Sequence, residues 1–164
     1  MPICNVEQPE RIQIDKSLRL RKYDGQFAFA LPWYQDPEIL MLVDGKQEPY
    51  DLERLQRMYA YLEAQGECYV IEWQDGDVFR PVGDVTFWRE DMPIVIGEKN
   101  LWGRGIGTRV VRVLIQRGRT LGFDCLMVDE IYDFNLGSQK LFTRLGFSAC
   151  GETPRGKRYR LELA

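Results

Sequence analysis

Between Pro93 and Leu121 the chain passes from a short apolar stretch, "PIVIG", through "WGRGIG" into the patterned segment "TRVVRVLIQRGRTL". Val110, Val111, Leu114, Gly118 and Leu121 recur at three- and four-residue spacing, with Arg109, Arg112, Gln116 and Arg119 on the opposite face. That pattern predicts an amphipathic helix over Thr108–Leu121. Gly122 stands where a left-handed residue ends a helix. A strand that enters a helix through Gly103, Gly105 and Gly107 aims the free N–H groups of the first helical turn outward. The helix dipole then favours negative charge in front of them. Such a loop either holds a phosphate or serves only as a tight turn.

The other patterns place this loop in a mixed α/β chain. Ile12–Arg21 alternates, which suits an early strand or strand pair. "FAFALPWYQDPEILMLV" is broken by Pro32 and Pro37 into short helical pieces. "DLERLQRMYAYLEAQG" is an amphipathic helix with Leu52, Leu55, Met58, Tyr59 and Leu62 on one face, Asp51 as N-cap and Gly66 at its end. "ECYVIEW" and Val78–Trp88 read as an antiparallel hairpin across "QDGD". "CLMVDEI" reads as a buried strand, and Leu136–Leu145 as a second helix capped by Asn135 and ended by Gly146. "FSACGETPRGKRYRLEL" closes the chain as a hairpin. The fold class is α/β (α+β): a mixed, mostly antiparallel central sheet of six to seven strands flanked by helices. Residues 1–164 form one domain on this reading.

Composition removes several chemistries. There is no histidine, so Ser-His-Asp and Cys-His catalysis and the common His-containing zinc sites are excluded. The four cysteines, Cys4, Cys68, Cys125 and Cys150, contain no CxxC pair; no metal is expected. With 22 basic and 25 acidic residues the net charge is −3, which argues against a nucleic-acid partner. No apolar run is long enough to span a membrane, and "MPICNVEQPERIQ" lacks the order of a secretory signal. A cytoplasmic location is the expectation.

Two phosphate motifs fail on the loop. It has no GK[ST] for a P-loop, and a dinucleotide fingerprint would need a third glycine at Thr108 and a βαβ unit around it. "WGRGIG" resembles instead the Q/R-x-x-G-x-G/A segment of the GCN5-related N-acetyltransferases. The resemblance continues through the preceding "PIVIG", the following strand, and a helix that begins with Asn135 and ends in Gly146-Phe147. It covers most of Val78–Phe147. "PWYQDPEI" is similar to the Trp-x-x-Asp/Asn-Pro segment of the branch holding ribosomal-protein and aminoglycoside 6′-N-acetyltransferases.

The resemblance implies acetyl-CoA as cofactor, with its pyrophosphate on Gly103, Arg104, Gly105, Ile106, Gly107 and Thr108. Trp102 stands where the family most often has Gln or Arg. The strands Ile94–Gly97 and Cys125–Ile131 should splay, with the pantetheine arm paired to backbone around Val95 and Ile96. Asn135 and Ser138 match positions that contact that arm, and Asn135 also reads as a plain N-cap. Glu130 is the first choice for the carboxylate that takes the amine's proton; strand alternation puts Asp129 and Glu130 on opposite faces. Asp129, Asp133, Asp84, Glu90 and Asp91 fall on segments that either border the cleft or form a solvated acidic face. Phe142 occupies the position where many members carry a Tyr that protonates the departing thiolate, which leaves water or Tyr132 as donor, with Cys150 behind them. Trp33 and Tyr34 either line the acceptor site or pack in the core.

The activity implied is acetyl transfer to a primary amine of a small cationic molecule or a protein N-terminus, in a chain able to form a homodimer. A non-catalytic acyl-CoA sensor on the same fold is the alternative.

Overall fold

Five strands, β1 (Arg11–Gln13), β2 (Leu18–Lys22), β3 (Glu67–Asp75), β4 (Val78–Phe87) and β5 (Ile94–Ile96), pair in chain order into one antiparallel sheet. Three more, β6 (Cys125–Tyr132), β7 (Ser148–Glu152) and β8 (Gly156–Glu162), form a second antiparallel sheet with β8 in the middle. These strands and their helices come from a computed structural model that describes residues 1–164. The sheet expected as one unit of six to seven strands is therefore eight strands in two sheets, because β5 and β6 make no ladder.

Helices α1 (Pro37–Asp44) and α2 (Leu52–Gln65) lie between β2 and β3 in sequence, α3 (Ile106–Thr120) between β5 and β6, and α4 (Leu136–Arg144) between β6 and β7. Their starts follow from the side chains that precede them. The Asp36 carboxylate accepts from the N–H groups of Glu38 and Ile39, Asp51 from Arg54, and Asn135 from Ser138. Helix α3 begins at Ile106, two residues before the periodic pattern. Gly105 serves as its N-cap in a left-handed conformation (φ 75°) and contributes no apolar side chain to the pattern.

Alternation along β3 and β4 divides the core. Tyr69, Ile71, Val85 and Phe87 join α3, α4 and β6 in the main cluster. Cys68 and Val70 face the other way, against Trp33, Tyr34, Leu40, Leu55 and Tyr59 of α1, α2 and the turns before them. Each fully buried aliphatic or aromatic side chain contributes about 1.5–3 kcal/mol to holding these layers together. On α2 the buried face is Leu55, Tyr59 and Leu62, whereas Leu52 in the first turn remains half exposed. The far end of α3 is fixed by a buried ion pair: Arg117 Nε and Nη2 each donate across 2.7 Å to the two oxygens of Glu67, which is fully buried. No helix of the chain is long and apolar enough to cross a membrane.

Candidate active site

Strands β5 and β6 meet at one end and part at the other. The hairpin loop before β5 grips β6 through two hydrogen bonds, from Met127 N to Arg89 O (2.9 Å) and from Asp129 N to an Asp91 carboxylate oxygen (3.0 Å). Beyond that point the two strands belong to different sheets. The result is a cleft that widens from Asp129 towards Tyr132 on one side and towards Ile96 on the other.

Backbone direction on β5 decides which residues serve this cleft. Thr86 N donates to Pro93 O and Gly97 N to Val82 O, so odd-numbered residues of β5 turn their backbone groups towards β4. Val95 is therefore spent on Asp84, and its side chain packs on the second core cluster. The backbone N–H groups of Ile94 and Ile96 face the cleft. Of the two residues expected to offer backbone to a ligand, Ile96 can and Val95 cannot.

The glycine loop follows at once. Trp102 donates its indole N–H to Ile96 O (2.8 Å), and Leu101 is buried behind it. Gly103 and Gly105 both have positive φ (79° and 75°), and nothing lies within 4 Å of where a Cβ would stand at either. Arg109 staples the loop from behind, bonding Gly105 O (3.3 Å), Arg104 O (3.2 Å) and the Asp15 carboxylate (2.7 Å). The six consecutive N–H groups of Gly103, Arg104, Gly105, Ile106, Gly107 and Thr108 have no hydrogen-bond partner. Backbone donors are rarely left bare unless they face solvent or a ligand. Together with the α3 dipole they form an anion cradle at the mouth of the cleft, and the exposed, unpaired Arg104 adds a full positive charge.

The opposite wall carries the remaining expected residues. A one-residue bulge in β6 lies between Val128 and Ile131, so strict alternation fails at Asp129 and Glu130. Asp129 is exposed and pairs with Arg158 of β8 (3.2 Å), while Glu130 is half-buried and accepts from Arg155 N (3.3 Å) in the β7–β8 turn. Tyr132 is half-buried, with its ring stacked on Phe134 and beneath the Arg155 guanidinium. Its hydroxyl donates to Val43 O at the end of α1 (3.4 Å), and burial raises its pKa. Asn135 has its carbonyl oxygen engaged as the α4 cap (3.1 Å to Ser138 N), which leaves its amide N–H groups and the Ser138 hydroxyl free.

Four further placements differ from a free cleft lining. Trp33 and Tyr34 are buried in the second core cluster, with the Trp33 indole lying on Gly97 and the Tyr34 hydroxyl bonded to Asp84. Neither presents an open surface to an acceptor, because the turn that carries them is drawn under α1 and α2. Phe142 is buried in the main core, edge-on to Phe147. Asp84, whose position in the chain gave no sign of its depth, is a core residue 2% exposed.

Comparison with known proteins agrees with this geometry. Residues 17–148 match the acetyltransferase (GNAT) domain. The Methanocaldococcus jannaschii protein MJ1062 is 25% identical over 161 residues, which are 94% of this chain and 32% of that protein, so the chain spans about a third of that relative's length. A domain from the same organism superposes with a TM-score of 0.77 at 23% identity, covering 90% of this chain and 100% of that one. Aminoglycoside acetyltransferase AAC(6')-Ib in complex with coenzyme A and kanamycin gives a TM-score of 0.71 at 15% identity, covering 89% and 95%. At those identities the structural likeness speaks for the fold, and the sequence match speaks for descent. Matched from residue 17 to residue 148, a span that holds both the anion cradle and the cleft, the chain belongs to the acetyltransferase (GNAT) domain family.

Proposed function

We propose that this chain transfers an acetyl group from acetyl-CoA to a primary amine of a small cationic molecule or a protein N-terminus, by direct attack on the thioester. The observation that carries the reading is the row of six unpaired N–H groups from Gly103 to Thr108 at the mouth of the β5–β6 cleft. These donors suit a pyrophosphate, and the cleft beside them suits an extended arm that pairs with strand backbone. Acetyl-CoA supplies the activated acyl group and a thiolate leaving group; the chain supplies position, polarisation and a place for the proton.

Gly103–Thr108 and Arg104 would hold the diphosphate. Ile96 N–H, turned into the cleft, is the donor placed to polarise the thioester carbonyl. Asn135 and Ser138, across the cleft, keep free donors for the amides of the arm. Glu130 at the β6 bulge would receive the acceptor's ammonium group and stands at the start of its proton's path. The Tyr132 hydroxyl, which donates to Val43 O at the end of α1, would return a proton to the thiolate; Phe142 has none to give.

The small-amine reading draws on AAC(6')-Ib, whose structure holds coenzyme A and kanamycin. The test is thermal stabilisation by acetyl-CoA, followed by release of CoA thiol with kanamycin, spermidine and a peptide with a free N-terminus. Stabilisation with thiol release on at least one amine is the expected result. Stabilisation without turnover on any of them favours the acyl-CoA sensor, and no stabilisation at millimolar acetyl-CoA removes the cofactor assignment.

A further inference from the structure

Behind β5, on the face of β4 turned away from the main core, a carboxylate lies buried without a cation. Asp84 is opposite Val70 of β3 and Val95 of β5, both of which pack on the second core cluster. The Tyr34 hydroxyl donates to its Oδ2 across 2.7 Å and the Tyr59 hydroxyl donates to the same oxygen across 2.8 Å. Neither a lysine nor an arginine reaches it, and its other oxygen, Oδ1, receives no hydrogen bond. Two residues along the same face, the hydroxyl of Thr86 is buried beside its cross-strand neighbour Cys68. The free oxygen of Asp84 thus belongs to a strand that pairs directly with β5, whose other edge lines the cleft.

We propose that Asp84 is the final proton acceptor of the acetyl transfer, taking on Oδ1 the proton that the acceptor's ammonium group gives up before attack. The proposal rests on the acetyltransferase reading above and deepens it.

Three observations converge on this role. Partners in a hydrogen-bonded antiparallel pair have Cα atoms about 5.5 Å apart, so Asp84 is a single strand spacing from β5, whose far edge carries the Ile96 N–H. Both tyrosines bond one oxygen and leave the other bare, whereas a carboxylate kept only to anchor α2 and the turn before α1 would gain by sharing its donors. Burial of an unpaired carboxylate also costs several kcal/mol, and an amide would accept the same two hydroxyl bonds without that cost.

The surroundings suit a proton acceptor. Burial pushes the Asp84 carboxyl up to about 6, with the two tyrosine bonds pulling it back. The titratable groups that face it are Tyr34 from the turn before α1, Tyr59 from α2 and Cys68 from β3. Burial raises all three, Cys68 to about 12, so they remain neutral. Asp84 is then the one charge in this pocket at neutral pH, and its affinity for a proton is close to that of an effective general base.

The ammonium gives one proton to Glu130, which passes it through water to Asp84 Oδ1, and its freed lone pair forms the N–C bond. The carbonyl reforms as the C–S bond breaks, with the electron pair leaving on sulfur. The second proton on nitrogen passes to the thiolate, and Asp84 returns its proton to solvent after product leaves.

Asp84→Asn keeps an acceptor for both tyrosines and removes the titration. On the panel amine that the wild-type chain acetylates best, the variant should lose about 100-fold in kcat at pH 7. Its acetyl-CoA dissociation constant should stay within about twofold. The acid limb of kcat/KM near pH 6 should disappear. Tyr59→Phe removes a bond that lowers the Asp84 pKa and should move that limb to higher pH, a signature that a purely structural role does not give. The Tyr59→Phe shift also stands as the test should Asp84→Asn fold poorly. An Asp84→Asn enzyme with near wild-type kcat and an unmoved limb overturns the role of Asp84 alone. A wild-type chain that binds acetyl-CoA and acetylates none of the amines overturns the transferase reading and this proposal with it.

Discussion

The indole of Trp102 and the carbonyl of Ile96 are joined by a 2.8 Å hydrogen bond, which ties the entrance of the glycine loop to the cleft-facing edge of β5. The bond fixes the peptide after Ile96 and so the distance between the anion cradle and the strand that would polarise a thioester. Trp102→Phe keeps the bulk and removes the donor. A hydrogen bond of this kind is worth about 1 kcal/mol, so acetyl-CoA should bind roughly fivefold more weakly, measured by calorimetry. Trp102→Gln retains a donor and should recover part of that loss. Equal binding by Trp102→Phe and the wild type would separate this bond from cofactor grip.

Gly105 and Gly107 are near neighbours in the loop, yet enlarging them should fail in different ways. Gly105 has φ 75° and open space before it, so Gly105→Val places strain in the backbone and bulk over the bare N–H groups. Acetyl-CoA affinity should fall at least about tenfold, with a smaller loss of stability. Gly107 instead packs α3 on α4, where a Cβ would stand 2.6 Å from Leu141 Cδ1. Gly107→Val should lower the unfolding free energy by about 1–3 kcal/mol through overpacking. Urea unfolding and calorimetry on both variants check the division.

Much of the fold was legible because its signals are local. Asn135, Gly122 and Gly146 announce their helix ends within a few residues, and the Val110–Leu121 spacing gives α3 its face. The site was less so wherever a residue's role depends on distant partners. Asp84 reads as a carboxylate after a glycine on a strand; its burial is set by Tyr34, 50 residues before it, and Tyr59, 25 before it. Val95 and Ile96 look equivalent in "PIVIG", and only the register with β4 turns one away from the cleft. Asp129 and Glu130 lose their alternation to a bulge that the run "CLMVDEI" does not mark.

Glu130→Gln removes the charge at the β6 bulge and keeps an acceptor for Arg155 N. It should reduce kcat/KM for a cationic amine by roughly 10- to 100-fold while acetyl-CoA binding holds. Turnover equal to wild type in steady-state thiol release would take Glu130 out of the mechanism.

Phe142→Tyr tests the position where many family members place a hydroxyl. The Phe142 ring is 2% exposed, with Phe147 edge-on at 5.1 Å between centroids. A hydroxyl added there enters the main core without a ready partner. The variant should be less stable by about 1–3 kcal/mol and should turn over no faster. A clear gain in kcat would show that α4 can turn this side chain towards the thiolate.

Stability should carry the mark of Asp84 independently of catalysis. Its carboxyl is raised from 3.8 to about 6 by burial, so the folded chain holds this proton more tightly than the unfolded chain does. Between those two values the folded state binds more protons, and stability falls as pH rises. Below the lower value the cost is absent; above the upper one it is fully present, at roughly 3 kcal/mol. Burial raises Asp91 as well, which adds a slope of the same sign to both proteins. The difference between wild type and Asp84→Asn isolates Asp84. Asp84→Asn should gain in thermal midpoint relative to wild type as pH rises from about 4 to 7 and hold that gain above 7. Parallel midpoint curves for the two proteins across this range would mean that Asp84 titrates in the folded chain as it does in the unfolded one, and the pocket formed by Tyr34 and Tyr59 would then be no obstacle to its charge.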